Sequence, residues 1–350
     1  MTKIMIGGLA LVTSVFLGVG PAAAEPVRLI ETGSSLLYPL LNLWVPAFAK
    51  SHPEIQITTQ STGSGAGISE AISGIAQLGA SDAFMSNAQM RTRPGMLNIP
   101  LALASQTVNY HLDGTGDAHL KLSGPVLAQI YDGTVTFWND RAITTLNSGM
   151  TLRHQQIVPV HRTDGSGDTF IFTQYLTASA PQWQPVGFGT TVSWPPVRGG
   201  VGAAGNPGMV NVLKTTPASI GYIGISFKQA IQVAGLGVAM IENKEGEFVL
   251  PDPETVRSAV EAMAAKTPAD GRISLVFAPG ARSYPIVNYE YAIVKADQPD
   301  NAQAKALRQF LAWAIAANGG NAPEFMNPLG FVALPQSVAT LSQALIDRIK

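Results

Sequence analysis

Ile157-Val158-Pro159-Val160-His161-Arg162-Thr163-Asp164-Gly165-Ser166-Gly167-Asp168-Thr169 is the stretch that decides how this chain folds. Ile157 to Val160 reads as a strand, and the serine-glycine turn ends it. Phe170-Ile171-Phe172-Thr173-Gln174-Tyr175-Leu176 then has the apolar spacing of a helix. Strand, tight turn and helix in this order are the unit of a parallel α/β sheet. The amides of Ser166, Gly167 and Asp168 are expected to be unpaired donors at the helix N-terminus. With the Arg162 guanidinium beside them they form a cradle for an oxyanion. Taken alone, Arg162 could equally be a surface partner of Asp164.

The same unit recurs upstream. Val27 to Glu31 reads as a strand that enters Gly33-Ser34-Ser35-Leu36. A helix over Leu36 to Lys50 follows, with Leu37, Leu40, Leu41, Trp44 and Phe48 on one face. Ile55 to Gln60 is a second strand, followed by Thr62-Gly63-Ser64-Gly65-Ala66-Gly67 and a short helix over Ile68 to Ile75. Leu78 to Ala83 is a strand end and loop. Ligands of such folds sit at the carboxyl ends of the strands. Downstream, Ser123 caps and Pro125 opens a helix through Tyr131. Val186 to Gly208, rich in Gly and Pro, reads as an irregular surface excursion. Ile220 to Gly224 and Tyr284 to Val294 read as strands, and Ala302 to Ala317 as a helix whose Phe310 and Trp313 join Trp44 and Phe48 in the core.

Lys3, the apolar run Ile4 to Val19 and Ala22-Ala23-Ala24 have the layout of a cleaved secretory signal over residues 1–24. No other stretch reaches the ~18 apolar residues of a spanning helix. With no cysteine, disulfides, thiolate catalysis and a lipid-modified cysteine are ruled out, so the core alone must hold an exported fold. The roughly 325 residues after the signal suffice for two domains. A net charge of −1 without a basic stripe argues against a nucleic-acid partner. No His-rich or acidic cluster of recognisable spacing suggests a metal, and no cofactor motif is visible.

These segments carry a family resemblance. Glu31-Thr32-Gly33-Ser34-Ser35-Leu36-Leu37-Tyr38-Pro39, Gly63-Ser64-Gly65, Gly79-Ala80-Ser81-Asp82 and Arg162-Thr163-Asp164-Gly165-Ser166-Gly167 resemble the periplasmic phosphate-binding proteins of high-affinity phosphate ABC transporters. Thr136-Phe137-Trp138-Asn139-Asp140, Ile220-Gly221-Tyr222 and Tyr289-Glu290-Tyr291-Ala292-Ile293-Val294 extend the likeness over nearly the whole mature chain. The resemblance implies a two-lobed α/β binding protein with mixed sheets flanked by helices and the ligand in the inter-lobe cleft. One lobe is expected from residues 25–108 and 285–350, the other from 109–284, with crossings at Val108-Asn109 and Tyr284-Pro285. The implied ligand contacts are Ser34, Ser35, Leu36, Ser64 and Asp82 from one lobe and Arg162, Ser166, Gly167 and Asp168 from the other. Asp164 is implied to orient Arg162. Two positions depart from many relatives: Ser35-Leu36 stands for a threonine-aromatic pair, and Asp168 stands for Thr. The implied partners are inorganic phosphate and a membrane ABC permease, with the receptor a periplasmic monomer.

Chemistry adds a reason for Asp82. A carboxylate facing an anion repels it unless the anion brings a proton, as phosphate does and sulfate does not. An unpaired buried charge costs about several kcal/mol. At ~1.4 kcal/mol per decade, one Asp can separate the two anions by orders of magnitude. On residues alone, Asp82 is equally a loop cap, and Ser34, Ser35, Ser64 and Ser166 are equally helix caps. The rival readings are the same trap tuned to sulfate, arsenate or molybdate, a phosphate-binding protein whose role is adhesion or signalling, and a secreted phosphatase. The last would need a base and an orienter for Ser166, and His161 is the one histidine nearby.

Overall fold

The computed structural model describes residues 25–114 and 118–350, and the expected signal segment 1–24 lies outside them. The first part runs β1 (Val27–Gly33), α1 (Tyr38–Ala49), β2 (Ile55–Ser61), α2 (Ser64–Ser73), β3 (Leu78–Ser81), α3 (Asn87–Thr92) and β4 (Met96–Tyr110). It continues through β5 (Lys121–Leu122), α4 (Gly124–Asp132), α5 (Arg141–Thr144), β6 (Val158–Arg162), α6 (Gly167–Ser179), β7 (Val201–Ala203), α7 (Gly205–Thr215) and β8 (Ser219–Gly224). The last part holds α8 (Lys228–Val233), β9 (Gly237–Val238), β10 (Met240–Glu242), β11 (Phe248–Val249), α9 (Pro253–Glu261), β12 (Val287–Lys295), α10 (Asn301–Ile315), α11 (Pro323–Leu329) and α12 (Gln336–Ile346).

The main sheet has the order β2-β1-β3-β12-β4-β8-β6-β7, with β9 also on β4. β1 pairs in parallel with β2 and β3, and β6 in parallel with β8 and β7. Between these parallel blocks, β12 and β4 run antiparallel. β4 joins the halves: residues 96–105 pair with β12, and Gln106 to Tyr110 with β8. Every residue of β4 is buried, so it shows no in–out alternation. This two-lobed mixed α/β architecture is the expected fold class.

Local sequence explains the helix starts. Ser123 caps α4, accepting from the Val126 amide, and Pro125 occupies the first turn. Ser166 caps α6 through the Thr169 amide. α2 begins at Ser64, four residues ahead of the expected Ile68, because the serine-glycine loop is itself its first turn. On one face of the sheet Trp44, Phe48 and Phe310 are buried, and Phe310 and Trp313 stack. The expected surface excursion Val186 to Gly208 is corrected at its end: β7 pairs with β6, and α7 begins at Gly205 with the next residue, Asn206, fully buried. Glycines in this stretch suggested loop, but β6 supplies β7 with its edge and pairing overrides local propensity.

Candidate functional site

The carboxyl ends of β1, β3 and β6 and the N-termini of α2, α6 and α7 bring the expected residues into one hydrogen-bonded cluster. Ser34, Ser35, Leu36, Ser64, Asp82, Arg162, Ser166, Gly167 and Asp168 are all buried. Ser34 Oγ donates to Asp82 Oδ1 and accepts from the amides of Leu36 (3.1 Å) and Leu37 (3.0 Å). Ser64 Oγ accepts from the Asp82 amide at 3.1 Å, so this serine fixes Asp82 rather than capping its own helix.

Arg162 enters from the other half. Its Nε and Nη2 clasp Asp164 at 2.7 and 2.5 Å, and its Nη1 meets Asp168 Oδ2 at 2.7 Å. Asp164 therefore orients the guanidinium, in the geometry that suits a bidentate carboxylate. Burial pushes Asp164 up, but Arg162 outweighs it and holds its carboxyl below the usual range. Burial and the Asp82 charge push Asp168 up to about 7, against Arg162, Gln106 and Asn206. Burial also raises Asp82, against its bonds with Glu290 and Ser34, the Arg162 charge and Ser64.

The amides of two of the expected contacts are already engaged. The Ser166 N–H donates to Thr190 O at 2.8 Å, and the Leu36 N–H to Ser34 Oγ. Ser166 is spent because the turn pairs with the loop after α6, a contact invisible to local pattern. The amides of Ser35, Ser64, Gly167 and Asp168 make no hydrogen bond within the described residues. Helix starts leave such donors free, and their dipoles favour an anion.

The halves are closed on each other. The Gly65 amide donates to Gly165 O at 2.7 Å, and Asn206 donates to Ser35 Oγ from its amide (3.2 Å) and from Nδ2 (3.0 Å). A Cβ on Gly167 would lie 2.3 Å from Asp82 Oδ2 and 2.4 Å from Ser64 Oγ, so only glycine lets α6 start against Asp82.

Four side chains of the cluster escape sequence reasoning. Gln106 Nε2 donates to Asp168 Oδ1 at 3.1 Å. Asn206 Nδ2 donates to Asp168 Oδ2 at 2.7 Å while its Oδ1 accepts the Gly224 amide at 2.8 Å. Asn288 Nδ2 holds Asp82 O at 3.0 Å, and Glu290 lies beside the Asp82 carboxyl. All four come from segments remote in sequence from the loops they serve. For Gln106, Asn288 and Glu290 the available signal was a polar residue inside an otherwise apolar strand; Asn206, at the start of α7, offered none. Among the described residues no acidic or histidine group is arranged to hold a metal. His161 turns away: its Nδ1 is near Arg162 O and its ring stacks on Trp194.

A closed, two-lobed α/β fold with free helix-start amides, an oriented Arg and buried carboxyls in its cleft defines a solute-binding protein. Residues 20–318 match the model of the PBP superfamily domain. The chain is 34% identical over 340 residues to phosphate-binding protein PstS of Methanocaldococcus jannaschii, covering 91% of this chain and 85% of that protein. It is 31% identical over 328 residues to PstS of Xylella fastidiosa, covering 93% and 87%. Its fold is similar to that of a high-affinity periplasmic phosphate-binding protein, PfluDING, solved with phosphate bound (TM-score 0.73, 20% identity, 91% and 93% of the chains). A phosphate-binding protein from Stenotrophomonas maltophilia is similar too (TM-score 0.70, 19% identity, 91% and 93%). The chain belongs to the PBP superfamily and, within it, to the PstS family of phosphate-binding proteins.

Proposed function

We propose that this protein is an exported receptor that captures inorganic phosphate between its lobes and delivers it to an ABC permease. The observation that carries the reading is the composition of the closed cleft. Free amides of Ser35, Ser64, Gly167 and Asp168 and the Arg162 guanidinium supply donors, while Asp82 and Asp168 supply acceptors. An anion that meets both must itself carry protons, as phosphate does at neutral pH. The names of the relatives and the phosphate-bound neighbour support the same ligand.

Residues 25–108 with 285–350 form one lobe in this reading and 109–284 the other, with the first crossing within the part of β4, Gln106 to Tyr110, that pairs with β8. Ser34, Ser35, Leu36, Ser64 and Asp82 approach the ligand from the first, and Arg162, Ser166, Gly167 and Asp168 from the second. Ser166 acts through its hydroxyl, and Leu36 shapes the first loop, its amide held by Ser34 Oγ and its side chain against Gly224. Binding without catalysis is supported by His161, whose position offers Ser166 no base. Export by a cleaved segment 1–24, a periplasmic location, a monomeric state and delivery to a permease complete the proposal. Among the described residues no helix is long and apolar enough to cross a membrane.

Titration calorimetry with phosphate, arsenate, sulfate and molybdate tests the reading. Phosphate should bind at least ~100-fold tighter than sulfate, the consequence of leaving a buried carboxylate unpaired. Arsenate, which shares the protonated hydroxyl, should compete with phosphate. Sulfate or molybdate binding as tightly as phosphate would overturn it.

A further inference from the structure

Glu290 is a fully buried carboxyl, 0% exposed, on a strand with no other acidic residue. The antiparallel register of β12 on β3 sets Tyr291 opposite Ser81, so one step on Glu290 faces Asp82. Directly opposed residues project to the same side of a sheet. A register shift between Glu290 and Tyr291 in the pairing with β4 marks this point, and such bulges re-aim side chains beside functional sites. The two carboxyl groups lie within hydrogen-bonding reach of each other. Asn288 Nδ2 holds the Glu290 carboxyl beside the Asp82 loop, donating to the Asp82 backbone carbonyl at 3.0 Å and to Glu290 Oε1 at 3.1 Å. Glu290 Oε2 has no donor to accept from.

Two carboxyl groups at such reach can bond when one proton lies between them. We propose that Glu290 is a positioning residue that shares a proton with Asp82, holding Asp82 as an ionised acceptor and so setting which anions the cleft admits. This rests on the reading of the cleft as a phosphate site. With the Glu290 hydroxyl donating, Asp82 keeps its negative charge and can accept only from a ligand that brings a proton. Without that donor, Asp82 takes up a proton itself and can donate to sulfate. Burial and then the charge of Asp82 push Glu290 well above the usual carboxylate range, the direction the shared proton needs. The other charged groups facing the pair are Asp168 of α6 and, on the side of Asp82, Arg162 of β6. Tyr291, the neighbour on β12, is pushed up by its own burial and stays neutral.

The test uses the full mature protein and the variants Glu290→Leu and Glu290→Gln. The infrared spectrum of the ligand-free parent at neutral pH should hold a protonated-carboxyl stretch that loses one component in Glu290→Gln. Calorimetry with phosphate and sulfate should show discrimination falling ~10- to 100-fold in Glu290→Leu, the worth of one hydrogen bond to a charged group. Glu290→Gln, whose amide can donate to Asp82, should restore most of it. A folded Glu290→Leu that discriminates as the parent does overturns the proposal, as does an infrared band unchanged in Glu290→Gln. If Glu290→Leu does not fold, Glu290→Gln and the infrared band decide. A parent that binds no phosphate overturns the ligand reading and the selective role, and the band then decides the shared proton alone.

Discussion

Replacing Asn206 by alanine should destabilise the ligand-free protein by about 2.5–6 kcal/mol, a sum of two losses. Asn206 is 0% exposed and its side chain has three partners: Asp168 Oδ2, Ser35 Oγ and the Gly224 amide. Truncation leaves the buried Gly224 N–H without an acceptor, costing about 1–3 kcal/mol, and takes a charge-assisted bond from Asp168, about 1.5–3 kcal/mol. Ser35 keeps the Asn206 backbone amide, so its loss is small. Asn206→Asp is the sharper probe. It keeps the acceptor for Gly224 but replaces the donor that sits 2.7 Å from Asp168 Oδ2 with another carboxyl oxygen. Burial and mutual repulsion raise the folded-state pKa values of both carboxyls. Their favourable contribution is full below the unfolded pKa and is lost as pH rises through the folded values. The variant should therefore lie nearest the parent at about pH 4 and fall at least ~3 kcal/mol further below it by pH 8. Urea denaturation followed by tryptophan fluorescence at both pH values measures this. Asn206→Ala within ~1 kcal/mol of the parent, or an Asn206→Asp penalty independent of pH, would refute the reasoning.

Asp82→Asn should admit sulfate, because an amide can donate to an unprotonated oxygen; calorimetry should show sulfate affinity rising while phosphate affinity falls modestly. Asp168→Thr should flatten the pH dependence of phosphate binding. The parent carboxyl, raised to about 7, is increasingly ionised across pH 6 to 8 and repels the anion, so parent affinity should weaken over that window; parallel profiles would reduce Asp168 to a partner of Arg162. Glu31 is buried in β1, neither carboxyl oxygen has a hydrogen-bond partner, and burial pushes it up to about 8. Its contribution to stability is full below about pH 4.5 and is lost as pH rises through 8, so the stability of Glu31→Gln relative to the parent should improve by up to about 4 kcal/mol over that range in urea melts.

The sequence by itself determined the features set by neighbours along the chain. The caps at Ser123 and Ser166, the Pro125 start and the glycine turn before α6 follow from bonds spanning three or four residues, and each was legible. Arg162 and Asp164, two residues apart, could be paired on the page because their turn brings them together. β4 was not legible, because a strand buried on both faces has no alternation to read. The start of α2 and the end of the Val186 to Gly208 stretch read as loop by local pattern, because turn residues there serve elements completed by distant strands. Only the tertiary structure decided that Ser166 spends its amide on Thr190, that Asn206 joins Ser35 to Asp168, and that Glu290 meets Asp82. These contacts are fixed by strand register and closure between remote segments, and their pKa shifts arise from burial, a property that no residue carries on its own.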